Sequence, residues 1–469
     1  MDYLIFITLV GVLTLQGLYL ARRVWLSWED VREDSILLFV LYTSFFWALT
    51  PAYVALLTDS LDIFNFGYEL EVWSLGLLLD VVFFSVFILV YSRRRVEIRA
   101  DRIADAFRRT PYPLQFLVLI LVIAGCGYAL LMGPWTTGGY GDVGLYVKEE
   151  LTNEMFTIGG VQQAIYLGIL VPAICVLLFY VPRQRLPKWM FLLVGLCFGL
   201  VLIEAISSGI RSRLVDVLLA VVGCMLVRGY RKRALAYLIV GGVLLAVLSA
   251  PIVSLRSDST LYGSLSPLQR AGAVFQSSGN ESGSQGGIVL WASTFLVRLA
   301  SVQDGGILAS ETAKSGEYAY FRPFVGSIVG LIPRYLWHSK PLPLSRDGTV
   351  EGLPWYLVMA YRDEPWNNGS VSTSGIAYWQ FGWIGVFATA AIGAWIVTWL
   401  ARIAFRGGIV GLFLFLSYSM MIHFRFPVGV DETLMVLVQM IVPFIVLRAL
   451  YLQFAGESKR KLAQPPPAD

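Results

Sequence analysis

Residues 70–91, LEVWSLGLLLDVVFFSVFILVY, decide the fold class of this chain. The run is apolar over the roughly 20 residues that a helix needs to cross about 30 Å of hydrocarbon. From Val72 to Tyr91 its single ionisable group with a charge at neutral pH is Asp80, midway along, which must find a partner or a wet cavity there. Outward from it, similar runs recur at 3–21, 36–57, 113–132, 161–181, 188–207, 214–230, 234–254, 375–400, 408–424 and 431–452. Together they predict an all-α polytopic membrane protein of about 11 transmembrane helices, or 12–13 if two further apolar stretches also cross.

Composition agrees. The 469 residues are 57% hydrophobic and 14% charged, where a soluble domain carries about 25% charge, and this excludes a soluble enzyme. A net charge of +4 gives no basis for nucleic-acid binding. Cys126, Cys175, Cys197 and Cys224 lie in or beside apolar runs without CxxC spacing, so they read as small buried hydrophobes. Tyr3 to Ala21 lacks a basic leader and a small-residue cleavage site, and reads as a retained first span. No GxGxxG, Walker A or HExxH pattern is present, so nucleotide and metal chemistry have no motif and no cofactor is expected.

Lys and Arg concentrate in alternate connections, most densely in 93–109, RRRVEIRADRIADAFRR. The positive-inside rule makes that side cytoplasmic, with the N-terminus outside and the C-terminus inside. The chain divides into N-terminal membrane helices (1–254), a large outer loop (255–374), C-terminal membrane helices (375–455) and a cytoplasmic tail (456–469). A connection of that length must have structure of its own. It opens Ser/Gly-rich, whereas Gly287 to Ala309 and Phe321 to Trp337 are apolar enough to lie on the membrane or dip into it as interfacial or re-entrant helices.

Arginines on the outer side have no topological role, so Arg211, Arg213, Arg256, Arg298, Arg322, Arg334, Arg346 and Arg425, with Lys340, call for an anion. Guanidinium binds phosphate through a bidentate fork, which suits the diphosphate of a lipid carrier; headgroups or local carboxylates are the plainer partners. Arg211 and Arg213 sit in a short turn, SSGIRSR, where Arg213 can pair with Asp216. LIPRYLWHSKPLP at 331–343 places Arg334, His338 and Lys340 among three prolines, with Trp337 as an interfacial anchor. His338 has the chemistry of a general base or a phosphate donor, although a single interfacial histidine is more often structural. Tryptophans, tyrosine and carboxylates mingle at 345–368 in a manner suited to sugar.

These segments resemble the Wzy-type oligosaccharide repeat-unit polymerases. The resemblance lies in Ser207-Ser208-Gly209-Ile210-Arg211 before a span, Arg298 followed by Asp304, and the Pro-Arg-x-x-Trp-x-x-Lys-Pro run from Pro333 to Pro341. It continues in Gly375 leading into Tyr378, Phe381, Gly382 and Gly385. Members are often drawn with twelve spans and both termini inside, from which eleven spans and an outer N-terminus depart. The resemblance implies a metal-independent glycosyltransferase of the bacterial cytoplasmic membrane, with GT-C-like or O-antigen-ligase-like architecture. Its implied partners are undecaprenyl-diphosphate-linked oligosaccharides, membrane lipids, a chain-length regulator and a flippase. Arg211, Arg298, Arg334 and Lys340 then become diphosphate ligands, and His338 and Asp304 activating or orienting groups. An O-antigen ligase, a transporter of an anionic lipid-linked sugar and a structural member of an assembly complex remain alternatives.

Overall fold

The computed structural model describes residues 2–26, 70–93, 171–175, 188–207, 232–244, 301–322 and 371–406, with positions 53, 214, 217, 218, 220–222, 225, 230, 269 and 449. Its described elements are helices: α1 (Asp2–Leu26), α2 (Leu70–Arg93), α3 (Val171–Cys175), α4 (Lys188–Ser207), α5 (Ser301–Ser315) and α6 (Thr373–Arg406), with 232–244 also helical. Tyr3–Leu20, Leu70–Arg93 and Thr373–Trp399 are long and apolar enough to cross a membrane. The predicted spans at 3–21, 70–91, 188–207 and 375–400 thus fall on described helices. Those at 161–181, 214–230 and 234–254 are described in part, and 36–57, 113–132, 408–424 and 431–452 lie almost wholly outside the described residues.

The chain divides into two compact units. One comprises Met1–Glu97, Ser282–Trp399 and Ile422–Val436; the other comprises Ile98–Glu281, Leu400–Met421 and Leu437–Asp469. In the second, α3 packs on α4, and Cys175 and Cys197 are buried free thiols serving as apolar filling.

In the first unit α2 is central. Glu71 in its first turn and Arg93 in its last complement the helix dipole. Phe83, Phe87 and Tyr91, one turn apart, stack with centroids 6.4 Å apart at each step. The Phe6 ring of α1 meets Trp73 edge-on at 6.5 Å, and Gln16 Nε2 donates to Val81 O (3.1 Å) and Ser85 Oγ (2.7 Å). Rising numbers in α1 meet rising numbers in α2, so the two helices run parallel.

Helix α5 runs against α2 in the opposite sense: the Val302 carbonyl abuts Gly76, and Gly306 abuts the carbonyl of Val72. Residues 302–309 are buried, whereas Ala313 to Glu317 are exposed and Lys314 pairs with Glu311 at 2.8 Å. Sequence apolarity ends the segment near Ala309, but the helix continues to Ser315 because this polar second half has left the packed interior. Thus part of the 255–374 stretch lies directly against a span-length helix.

Helix α6 is broken. Phe381 (φ −139°, ψ 18°) and Gly382 (φ 62°, ψ −147°) leave helical geometry, and the second of these is a region essentially reserved for glycine. The two arms fold so sharply that Gly385 lies against the Ala377 carbonyl. In a straight helix these residues are about 12 Å apart along the axis.

Candidate functional site

Three helices approach one another at glycines. A methyl group on Gly375 would overlap Gly305 Cα and stand 2.9 Å from the Gly305 carbonyl oxygen, so α6 and α5 touch backbone to backbone. Small residues permit this approach between membrane helices. Polar side chains from distant parts of the sequence are buried on these helices: Asp80, Gln303, Asp304, Ser372, Thr373, Ser374 and Gln380.

The partner Asp80 requires is Ser374, whose Oγ donates to Asp80 Oδ1. The preceding turn prepares it. Ser372 caps the first arm of α6: its carbonyl accepts the Ile376 N–H at 3.0 Å and its Oγ the Gly375 N–H at 3.2 Å. Ser372 and Ser374 Oγ are 3.0 Å apart. Since Ser374 has one proton and gives it to Asp80, Ser372 is the donor in that pair. The bonds therefore run in one direction, from the Gly375 amide through two hydroxyls to the carboxylate, with the positive end of the helix dipole behind them. Gln303 Oε1 and Thr373 Oγ1 are buried acceptors without a hydrogen-bond partner among the described residues, positions that a water or a ligand hydroxyl can fill.

The break in α6 frees the carbonyls of Trp379 and Gln380 from their helical donors. The turn after α5 supplies replacements: Ala319 N–H donates to Trp379 O at 3.0 Å and Tyr320 N–H to Gln380 O at 2.8 Å. Gly316 ends α5 at φ 69°, and Tyr320 is held at φ 49°, an uncommon conformation for a residue with a side chain. Rings gather around this clasp. Tyr320 meets Phe381 at 6.2 Å, Phe321 meets Phe381 at 4.9 Å, Tyr318 meets Tyr378 at 6.3 Å, and Tyr378 meets Trp383 at 5.6 Å.

Of the residues predicted from sequence, Asp304 is 1% exposed beside the Gly305–Gly375 contact. Arg322 is exposed and binds its own turn, with Nη2 donating to Tyr318 O (3.0 Å) and Nε to Ala319 O (3.3 Å). Its guanidinium thus has a local structural task beside any contact with an anion. Arg211, Arg213, Arg256, Arg298, Arg334, His338, Lys340, Arg346 and Arg425 lie outside the described residues. Among the described residues no group of three His, Cys, Asp or Glu is placed to hold a metal. Sequence reading missed the Ser372–Ser374 relay and the Tyr318–Phe321 turn. A serine cap opening an apolar run was the available signal for the first; nothing local announced the second.

Among the described residues the elements are all helical, three of them are of membrane-spanning length, and they carry a buried relay of Ser372, Ser374 and Asp80 together with an aromatic turn. No family model matches the chain, and no curated protein or solved structure does.

Proposed function

We propose that the protein is an oligosaccharide repeat-unit polymerase of the Wzy type, with about eleven spans in a bacterial cytoplasmic membrane and an outer N-terminus. It joins undecaprenyl-diphosphate-linked repeat units on the outer face into O-antigen, capsule or exopolysaccharide. The observation that supports this reading is the meeting of two segments on which the resemblance rests. Asp304 and the run Gly375, Tyr378, Phe381, Gly382 and Gly385 are far apart in sequence, yet Gly305 packs on Gly375 and the turn after α5 clasps the helix at Trp379 and Gln380.

In this reaction a hydroxyl of one repeat unit attacks the anomeric carbon at the reducing end of the other chain. The bond from that carbon to the diphosphate breaks, the diphosphate leaves with the electron pair, and the hydroxyl proton passes to a base. Charge develops on the departing diphosphate, where Arg211, Arg298, Arg334 and Lys340 stabilise it as fixed cations. His338 and Asp304 activate or orient the hydroxyl.

Reconstitution tests the proposal. Purified protein in liposomes with undecaprenyl-diphosphate-linked repeat units and no added metal yields a ladder of lengthened glycans on a gel. Arg211→Ala inserts and folds normally but gives at least a hundredfold less product, in keeping with loss of one transition-state contact. Sugar that crosses the bilayer without being lengthened would make the protein a transporter.

A further inference from the structure

We propose that the aromatic rim at the break in α6, formed by Tyr318, Tyr320, Phe321, Phe381 and Trp383, is the platform that holds a sugar ring of the acceptor oligosaccharide. The inference rests on the polymerase reading and adds where the acceptor glycan binds.

Three of these rings present open surface: Tyr320 is 55% exposed, Phe321 67% and Trp383 38%. They are also held in place. Two backbone hydrogen bonds join the turn to the broken helix, Arg322 ties off the carbonyls of Tyr318 and Ala319, and Phe381 packs edge-on against both Tyr320 and Phe321. Fixed rings with exposed faces cover the apolar faces of a pyranose, while the exposed Glu317 can take its hydroxyl groups.

The same helix carries a contrasting example. Trp383, Phe387, Trp395 and Trp399 are exposed along the second arm, and Trp395 stacks on Trp399 at 6.4 Å. Trp383 and Trp399 are separated by about 24 Å of helix at 1.5 Å per residue, close to the thickness of a hydrocarbon core, with tryptophan at each boundary. Anchoring at the Trp399 end uses an unbroken helix in ordinary geometry. The Trp383 end adds a helix break, a clasp between distant segments and a tyrosine at φ 49°. Lipid contact requires none of these, whereas a site that must hold rings at set positions does. The rim therefore stands at a membrane boundary, where a lipid-linked glycan emerges from its carrier.

Two measurements test this. In elongation assays Tyr320→Ala raises the acceptor KM about tenfold, the loss of one stacking contact, with kcat little changed, while Tyr320→Phe and the opposite-end control Trp395→Ala retain the wild-type KM. Saturation-transfer NMR with the free repeat-unit oligosaccharide gives signal from the wild type that Tyr320→Ala loses. If Tyr320→Ala does not fold, Trp383→Ala, in regular helix, takes its place in both. An unchanged KM, or saturation transfer retained in the variant that folds, overturns the platform. Absence of a ladder from the wild type overturns the polymerase reading instead, and the NMR comparison, which needs no turnover, still decides whether the rim binds sugar.

Discussion

Replacing Gly375 by alanine probes the tightest contact in the bundle. The added methyl would overlap Gly305 Cα and lie 2.9 Å from its carbonyl oxygen and 3.0 Å from its carbonyl carbon. Carbon atoms favour separations of about 3.5–4.0 Å. Both sides of the contact are backbone, so no side chain can rotate away and the first arm of α6 must retreat by roughly 1 Å. Overpacking of this kind costs about 1–3 kcal/mol. The retreat also stretches the Ser374–Asp80 hydrogen bond, and weakening a bond to a buried charged group costs about 1.5–3 kcal/mol. Alanine's better helix propensity returns up to about 1 kcal/mol. The net loss is about 1.5–5 kcal/mol. Gly393→Ala is the matched control, because the nearest atoms to its new methyl are those of Phe87 at 3.7 and 3.9 Å, an ordinary contact. It is expected to be neutral or to gain about 0.5–1 kcal/mol. Both variants are compared with wild type in detergent by thermal unfolding followed by circular dichroism and by SDS titration. Equal stability of Gly375→Ala and wild type would refute the backbone contact. Equal losses in both variants would show that glycine matters at these positions through something other than close approach.

Ser374→Ala leaves Asp80 buried without its hydroxyl donor and is expected to lower stability by about 2 kcal/mol in the same SDS titration. Asp80→Asn, which keeps an acceptor oxygen, should cost less; the reverse order would mean that the relay does not hold the carboxylate. Gly382→Ala forces a side chain into a backbone region nearly closed to it, for about 1–3 kcal/mol, and its methyl meets the Tyr318 ring at 3.3 Å. Chymotrypsin digestion should then cut faster after Tyr320, within the loosened turn, and an unchanged rate would count against the clasp. A cysteine placed at Ser278 is expected to react with an impermeant thiol reagent added to intact cells, whereas labelling only after lysis would reverse the assigned sidedness.

Much of α2 is legible in sequence because its apolar run is continuous and its ends are marked by charge. Asp80 is conspicuous for the same reason, and the need for a partner follows from its burial; the identity of that partner does not, since Ser374 comes from a helix 294 positions away. Helix α6 reads as one span because Phe381, Gly382 and Trp383 are as apolar as their neighbours, and a glycine in an apolar run is compatible with a straight helix. Only the backbone reveals the break. Helix α5 is the reverse case: its first half is buried despite Gln303 and Asp304, so polarity understates its burial, while the arms that enclose it come from 70–93 and 373–406. Asp304 and Arg322 were both singled out by sequence, yet one is enclosed and the other is engaged by its own turn, a distinction that charge alone does not carry.

The clasp of Ala319 and Tyr320 on Trp379 and Gln380 is made by main-chain atoms and so imposes no side-chain requirement on the rungs themselves. It fixes the two ends of the intervening stretch to each other independently of what that stretch contains. Doubling the length of a closed loop costs only about 0.6 kcal/mol. A change in the length of sequence between residues 323 and 370 therefore costs the clasp itself little in loop-closure entropy. Under the polymerase reading proposed above, such a main-chain joint holds its two helices together whatever length of chain a change of substrate calls for between them.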